Sequence, residues 1–356
     1  MSTTFLLRRN PTQLGYRMPA EWEPHEGTWF TWPRPDGISF PEKYDTVPPV
    51  YAALIRHLVE VEAVHINVWN GPMEETVRQR LTQHGVPLDR VSFHHFPAYE
   101  PWCRDHGPIF LVREREEGLE RAVIDWDYNA WGGKYPPYDL DDLIPRHIAT
   151  LRRLPLFSPE MILEGGSIEV NGKGTLLTTE SCLLNPNRNP TMSQSQISQK
   201  LRDYLGIHKV IWLGEGIVGD DTDGHIDDLA RFVSPDTIVT VVEENIEDAN
   251  YQLLQENYQR LRKASDQDGH VFRVVKLPTP GLVEHQGQRL PASYANFYIA
   301  NGIVLVPTFR HRNDRVAVEI LQAEFPDRKV IGVDSTDLIW GLGSFHCITQ
   351  QEPAGR

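Results

Sequence analysis

Cysteine is scarce in this chain. Three occur in 356 residues, Cys103, Cys182 and Cys347. An odd number with no paired spacing excludes a disulfide framework and a C-x-x-C zinc pattern. Long apolar runs are also missing, and nothing approaches the roughly 20 residues a membrane-spanning helix needs. The N-terminal stretch around Phe5-Leu6-Leu7 ends at Arg8-Arg9, too short for the apolar region of a secretory signal. A cytoplasmic location is expected. Positive charge is in deficit, with 35 Lys and Arg against 49 Asp and Glu, a formal charge of −14. Such a surface repels nucleic acid and anionic membrane and attracts small cations. No low-complexity linker or shift in composition divides the chain.

What remains is an α/β pattern with many short strands. Helical spacing marks residues 50–60, 73–83, 246–261 and 316–321. Strand-like runs follow at 63–69, 90–96, 271–277 and 330–333. Others lie at 107–112, 122–128, 167–170, 175–179, 237–242 and 302–307. Pattern alone leaves a doubly wound sheet, a barrel and a propeller open.

Four segments combine glycine with charged groups where a core strand would carry Val, Ile or Leu. In GLGSFHCITQQEP (341–353), glycines allow close backbone approach to a ligand and Cys347 follows. A reactive thiol needs a thiolate-favouring site, whereas an ordinary free cysteine is a small buried apolar residue. Cys103 and Cys182 fit the structural role more readily. In GDDTDGHIDDLARF (219–232), a strand would aim His225 and Asp227, at i and i+2, to one face. A histidine beside a carboxylate suits general acid/base work. A calcium loop fails there, because its first and last ligand positions would be Gly219 and Ala230. A transition-metal site lacks a second histidine at i+2 to i+4.

In YEPWCRDHGPIFLV (99–112), Asp105 behind Trp102 sits at the edge of an expected strand and is suited to a cation, although a turn aspartate paired with Arg104 is the plainer reading. In ILEGGSIEV (162–170), Glu164 interrupts an apolar strand start and needs a cation or several donors if buried. DYNAWGGKYPPYDLDDL (127–143) places a glycine turn between aromatic and acidic groups. Together, several carboxylates, a histidine and a cysteine suit a planar guanidinium. Carboxylates grip its forked N–H groups while a thiolate attacks its carbon.

With these residues in view, the chain resembles the agmatine deiminases, within the guanidino-modifying superfamily that includes the bacterial peptidylarginine deiminases. The likeness runs from MPAEWEPHEGTWFTWP (18–33) through WCRDHGP, YNAWGGK, EGGSIEV, LLTTESCLLNPNRNP, DTDGHIDD and LPASYANFYIANG to GSFHCITQQEP. It implies one deiminase domain over 1–356, an α/β propeller of five pseudo-symmetric modules (the pentein fold). It further implies Cys347 as nucleophile, His225 as general acid/base, and Asp105 and Asp227 as holders of the guanidinium nitrogens. Glu164, Trp102, Asn129 and Trp131 are the expected substrate-binding residues.

No metal or organic cofactor is implied, since thiolate and imidazole supply the chemistry. The expected partner is a small guanidino cation, with neither nucleic acid nor membrane, and a homodimer is the candidate assembly. The chain departs from the family at EPWCRDHGP, where A-W-M/F-R-D-x-GP is more usual, and at Leu342 and Ser344-Phe345, where a glycine-rich segment is typical. Both departures bear on the substrate's far end, which separates agmatine, free arginine and peptidylarginine. Free arginine would want a cation for its carboxylate, with Arg104 the candidate.

Overall fold

A computed structural model describes residues 9–356. The short apolar stretch read against a signal peptide lies largely outside these residues. No helix among the described residues is long and apolar enough to cross a membrane.

The strands group into five principal sheets with one repeated plan: an antiparallel pair, a helix, then a strand parallel to the second of the pair. The second module pairs Ile109–Arg115 with Gly118–Ile124, crosses over through Ile144–Arg152 and returns at Leu156–Phe157. The third uses Glu169–Val170, Thr175–Thr179, helix Gln194–Leu205 and Lys209–Leu213. The fourth uses Ala230–Ser234, Thr237–Val242, helix Tyr251–Lys263 and Arg273–Pro278. The fifth uses Tyr298–Ala300, Ile303–Thr308, helix Asn313–Glu324 and Lys329–Asp334. The first module borrows its leading strand from the other end of the chain. Gln350–Pro353 runs antiparallel to His25–Thr31, which pairs in parallel with Ala63–Asn67 and through it with Val91–His94. This is the five-module α/β propeller, and the choice left open by periodicity falls to it.

Local chemistry explains the elements. Helix Val47–Leu58 has proline in its first turn, where no N–H is needed. It buries Val47, Val50, Tyr51, Leu54, Ile55 and Leu58, one stripe at helical spacing. Helix Gln194–Leu205 starts at a reciprocal capping box between Ser193 and Gln196 and stops at Gly206 in the left-handed conformation. The sequence reading missed this helix and Ile144–Arg152. It also began the fourth module's helix too early, since Ile246 is exposed and the helix starts at Tyr251.

The seam between the chain's two ends is fixed by Glu352, fully buried on the C-terminal strand. Its carboxylate accepts from Trp29 Nε1 at 2.8 Å, Arg152 Nη2 at 2.8 Å and Arg121 Nη1 at 2.6 Å. Trp29 belongs to the first module and both arginines to the second, so one side chain ties the terminal strand to two modules. Removing one partner of a buried ion pair strands the others. Glu352→Ala should therefore destabilise the fold by about 3–5 kcal/mol, read as a lower urea midpoint at unchanged m-value. A midpoint equal to wild type would mean the seam is held elsewhere.

Candidate active site

Each module's leading strand is preceded by an irregular segment, and the five segments meet. Trp102–Asp105 precedes Ile109, Glu164–Ser167 precedes Glu169, His225–Asp228 precedes Ala230, Asn296 precedes Tyr298, and Ser344–Cys347 precedes Gln350. Hydrogen bonds join them across modules. Arg104 N donates to the Cys347 carbonyl at 3.0 Å, and Gly166 N to Asp105 Oδ1 at 3.0 Å. Asn296 Nδ2 donates to Asp228 Oδ1 at 2.9 Å, while Asn296 Oδ1 accepts from His346 N at 2.9 Å. Residues about 120 apart thus become neighbours because each occupies the same place in its module.

The expected local geometry needs correction at three points. His225 and Asp227 are not on a strand. His225 leads into a 3-10 turn, Ile226–Asp228, which gathers the imidazole and carboxylate without strand alternation. Asp105 lies in the short helix Cys103–His106 rather than at a strand edge. Glu164 precedes another 3-10 turn, Gly165–Ser167.

Asp105, His225, Asp227 and Cys347 are brought together. His225 Nδ1 lies 3.7 Å from Asp105 Oδ1, and Cys347 Sγ lies 3.8 Å from Asp227 Oδ2. Gly166 makes this approach possible. A β-carbon there would fall 2.5 Å from His225 Nδ1, 2.8 Å from Asp105 Oδ1 and 3.1 Å from Asp227 Oδ2. Asp105 Oδ2 also accepts from Trp131 Nε1 at 2.9 Å. To aim that indole, Ala130 and Trp131 both adopt positive φ, 50° and 55°, a conformation costing L-residues roughly 1–2 kcal/mol each.

Asp105, Trp102, Trp131 and Cys347 line a cavity of about 200 Å³. Trp102 lies against Gly343, where any side chain would overlap the indole ring. Glu164 and Asn129 do not line it, nor do His225 and Asp227, which sit behind Asp105 and Cys347 at the distances above. Glu164 is fully buried and its Oε1 accepts from Arg188 Nε at 2.6 Å. Asn129 accepts from Gly132 N at 2.8 Å and donates to the Asn187 carbonyl at 2.9 Å, holding the Ala130–Gly133 turn. Arg104 does not reach the cavity lining either. Its guanidinium binds Gln351 Oε1 at 2.7 Å and the His346 carbonyl at 3.3 Å.

Residues overlooked in the sequence complete the arrangement. Asn296 donates through Nδ2 to Cys347 Sγ at 3.1 Å and accepts the backbone N–H of both His346 and Cys347, so the sulfur is placed by one amide. His346 bridges two carboxylates, Asp227 Oδ2 and Glu21 Oε2, each at 2.7 Å. Glu21 also meets Arg231 Nη2 at 2.9 Å, and Arg231 meets Glu169 Oε2 at 2.9 Å. LPASYANFYIANG was visible as a motif, but an asparagine among small and apolar residues carries no chemical signal of its own.

The electrostatics are set by burial and by these pairings. Burial pushes the Cys347 thiol well above its ordinary range, and Asp227, Asp228 and Asp105 push it further. Burial also dominates at Asp105, raising it to about 6 with help from Asp227 and Glu164, against His225. At His225 burial works downward, but Asp105, Cys182 and Asp227 outweigh it, so the imidazole is held protonated well above its usual range. Burial would raise Asp227 too, yet the His346 hydrogen bond and charge bring it below the usual carboxylate range. The unliganded site is thus a neutral thiol, an imidazolium and carboxylates. Both His225 ring nitrogens and Asp227 Oδ1 are buried without a partner among the described residues. Buried polar atoms left open in this way mark where a ligand's donors and acceptors belong.

A five-module propeller gathering a thiol, an imidazole and carboxylates at the meeting point of its modules defines a guanidino-modifying, pentein-type protein. Comparison with known proteins gives the family. Residues 17–353 match the Porphyromonas-type peptidyl-arginine deiminase family. The chain is 38% identical to an agmatine deiminase of Medicago truncatula over 98% of this chain and 99% of that protein. It is equally 38% identical to an agmatine deiminase of Pseudomonas aeruginosa (strain LESB58), with the same coverage. Among solved structures, an agmatine deiminase of Enterococcus faecalis superposes with a TM-score of 0.90 at 36% identity, covering 97% of this chain and 98% of that one. The chain belongs to the Porphyromonas-type peptidyl-arginine deiminase family.

The raised Asp105 has a consequence in pH. A carboxyl held at about 6 is ionised above that pH and neutral below it. Should the ionised form be the one that grips a guanidinium, kcat/KM must fall as pH drops through about 6, because kcat/KM reports the free enzyme's groups. A profile flat from pH 7 down to 5 would remove Asp105 from that role.

Proposed function

We propose that this protein hydrolyses agmatine to N-carbamoylputrescine and ammonia, through a covalent intermediate on Cys347. The observation that carries the reading is the cavity itself. It is lined by the thiol and by the acidic side chains of Glu100, Asp105 and Asp221, with no Lys, Arg or His among the described residues of its wall. A ligand positive at both ends suits that wall. Free arginine would bring a carboxylate that finds no cation, and Arg104 is already engaged. The relatives at 38% identity, agmatine deiminases by name, support the same substrate over peptidylarginine.

The geometry supports the following roles. Asp105 and Asp227 take the guanidinium's N–H forks, and their charge is then matched by the substrate rather than opposing the thiol. The Cys347 proton leaves only when that cation is in place, with Asp227 Oδ2 the nearest acceptor. Asn296 Nδ2 supplies a hydrogen bond to the resulting thiolate. Sulfur attacks the guanidino carbon, and His225 protonates one nitrogen, which departs as ammonia. The now neutral imidazole takes a proton from water, whose oxygen adds to the thiouronium carbon. Collapse expels the sulfur, which takes the hydroxyl proton to restore the Cys347 thiol as the carbamoyl product forms, and Asp227 passes the proton it took from Cys347 to the ammonia, which leaves as ammonium. Trp102 and Trp131 wall the planar group.

At the far end, Asp221 is the better placed anion for the substrate amine. Glu100 is bound by Ile38 N and Ser39 and raised by burial, whereas Asp221, which accepts from Tyr135 and meets Lys134 Nζ at 3.4 Å, is the more exposed of the two and lies on the same cavity wall. The whole chain acts as one deiminase domain in this reading, in the cytoplasm, where agmatine would be met.

The direct test is agmatine, free arginine and an arginine-containing peptide in parallel, measuring ammonia and the carbamoyl product. Agmatine alone should be turned over at a useful rate. Citrulline appearing in the peptide without agmatine turnover would replace this reading with peptidylarginine deimination. Asp221→Asn should raise KM for agmatine with kcat nearly unchanged. A half-exposed ion pair is worth up to about 1 kcal/mol, roughly five-fold in KM. An unaltered KM would place the amine elsewhere.

A further inference from the structure

Behind the candidate active site lies a group of which the proposed reaction uses only His225. Glu164, Cys182 and His225 each present a ligand atom, and these atoms all lie within 4.8 Å of one another. Cys182 comes from the short helix Glu180–Leu183 that follows the third module's second strand, fixed by Thr179 capping Cys182 N at 3.2 Å. All three side chains are buried. Glu164 has its Oε1 on Arg188, but its Oε2 is buried with no partner among the described residues, as are both ring nitrogens of His225. Catalysis accounts for an open imidazole. It gives no role to the thiol of Cys182, which lies against His225.

We propose that Glu164 Oε2, Cys182 Sγ and one ring nitrogen of His225 form a binding site for a zinc-class divalent cation, and that its occupation inhibits the enzyme. A thiolate, an imidazole and a carboxylate are the three donor types zinc takes, at roughly 2.0–2.3 Å, with a fourth position open for water. Donor atoms around such an ion stand about 3.5–4 Å apart, so the group needs to contract only modestly. The thiol together with the imidazole selects against magnesium and calcium, which prefer oxygen.

Charge also balances. Arg188 is paired with Glu164 and with Asp223, at 2.6 Å each. On binding, the Cys182 thiol and the imidazolium each release one proton to solvent, and the dication replaces those two charges. No net charge is added to the interior. The ion takes the imidazole that the proposed reaction needs to protonate ammonia and activate water. Inhibition therefore rests on the proposed role of His225, whereas binding itself does not.

Cobalt(II) is the probe, because a cobalt–thiolate bond gives a charge-transfer band in the near ultraviolet. One equivalent per chain should produce the band in the wild-type protein and in Cys347→Ala, and Cys182→Ser should abolish it. The double variant Cys103→Ala/Cys347→Ala, with Cys182 its only thiol, should keep the band and serves even if Cys182→Ser fails to fold. In parallel, zinc should inhibit ammonia release reversibly by chelator in the wild type. Cys182→Ser should need at least roughly ten-fold more zinc, since losing even an outer partner of a metal ligand costs 10–100-fold.

No band in the wild type, loss of the band in Cys347→Ala, or its persistence in Cys182→Ser would each overturn the proposal. The last two would place the ion on another thiol. The band needs no substrate, so failure of agmatine turnover would leave the binding result standing. Failure of the band with normal turnover would leave the proposed function standing.

Discussion

The antiparallel pairing of Gln350–Pro353 with His25–Thr31 is the constraint on which the site depends. It closes a ring of modules that would otherwise end at Asp334, and it delivers Cys347 three residues before the strand begins. The sulfur's position follows from strand register and not from a local loop preference. Glu352 holds the register by binding across two modules, and Arg104 N on the Cys347 carbonyl fixes the turn that presents the thiol.

Within the closed ring, the central problem is to collect like charges. Asp105, Asp227, Asp228, Glu164, Glu21 and Glu169 are all buried near one another. The structure meets the cost by interleaving cations and donors. Arg231 sits between the carboxylates of Glu21 and Glu169, His346 between Glu21 and Asp227, and Arg188 between Glu164 and Asp223. Each acid that lies farther from the cavity has a permanent partner. Asp227 Oδ1 has no partner among the described residues and Asp105 meets His225 only at 3.7 Å, which leaves both able to take a bound cation. The same deficit keeps Cys347 a thiol until a cation arrives, protecting it from adventitious chemistry.

Much of this was legible in the sequence, for identifiable reasons. Cys347, His225, Asp227 and Asp105 stood out because glycine and charge replaced the Val and Leu of a core strand. Trp102 and Trp131 stood out as aromatics beside those breaks, and both reach the cavity. The strands from Thr175 to Thr179 and Thr237 to Val242 were legible because they are buried on both faces and read as continuous β-branched runs. Asn296, Glu21 and Arg231 were not. Each acts through partners 50 to 325 residues away, so no local pattern records them. The five-fold repeat escaped notice because it resides in strand order, and the helix at Gln194–Leu205 because its polar face dilutes the apolar stripe that its capping box announces.

The proposed reaction turns on a covalent bond between the sulfur of Cys347 and the guanidino carbon. Acid quenching during steady turnover of agmatine, followed by mass spectrometry of the Cys347 peptide, tests it most directly. This peptide alone should carry the mass of the thiouronium adduct. Agmatine turnover that continues undiminished in a Cys347→Ala protein, with no adduct on any peptide of the wild type, would contradict it.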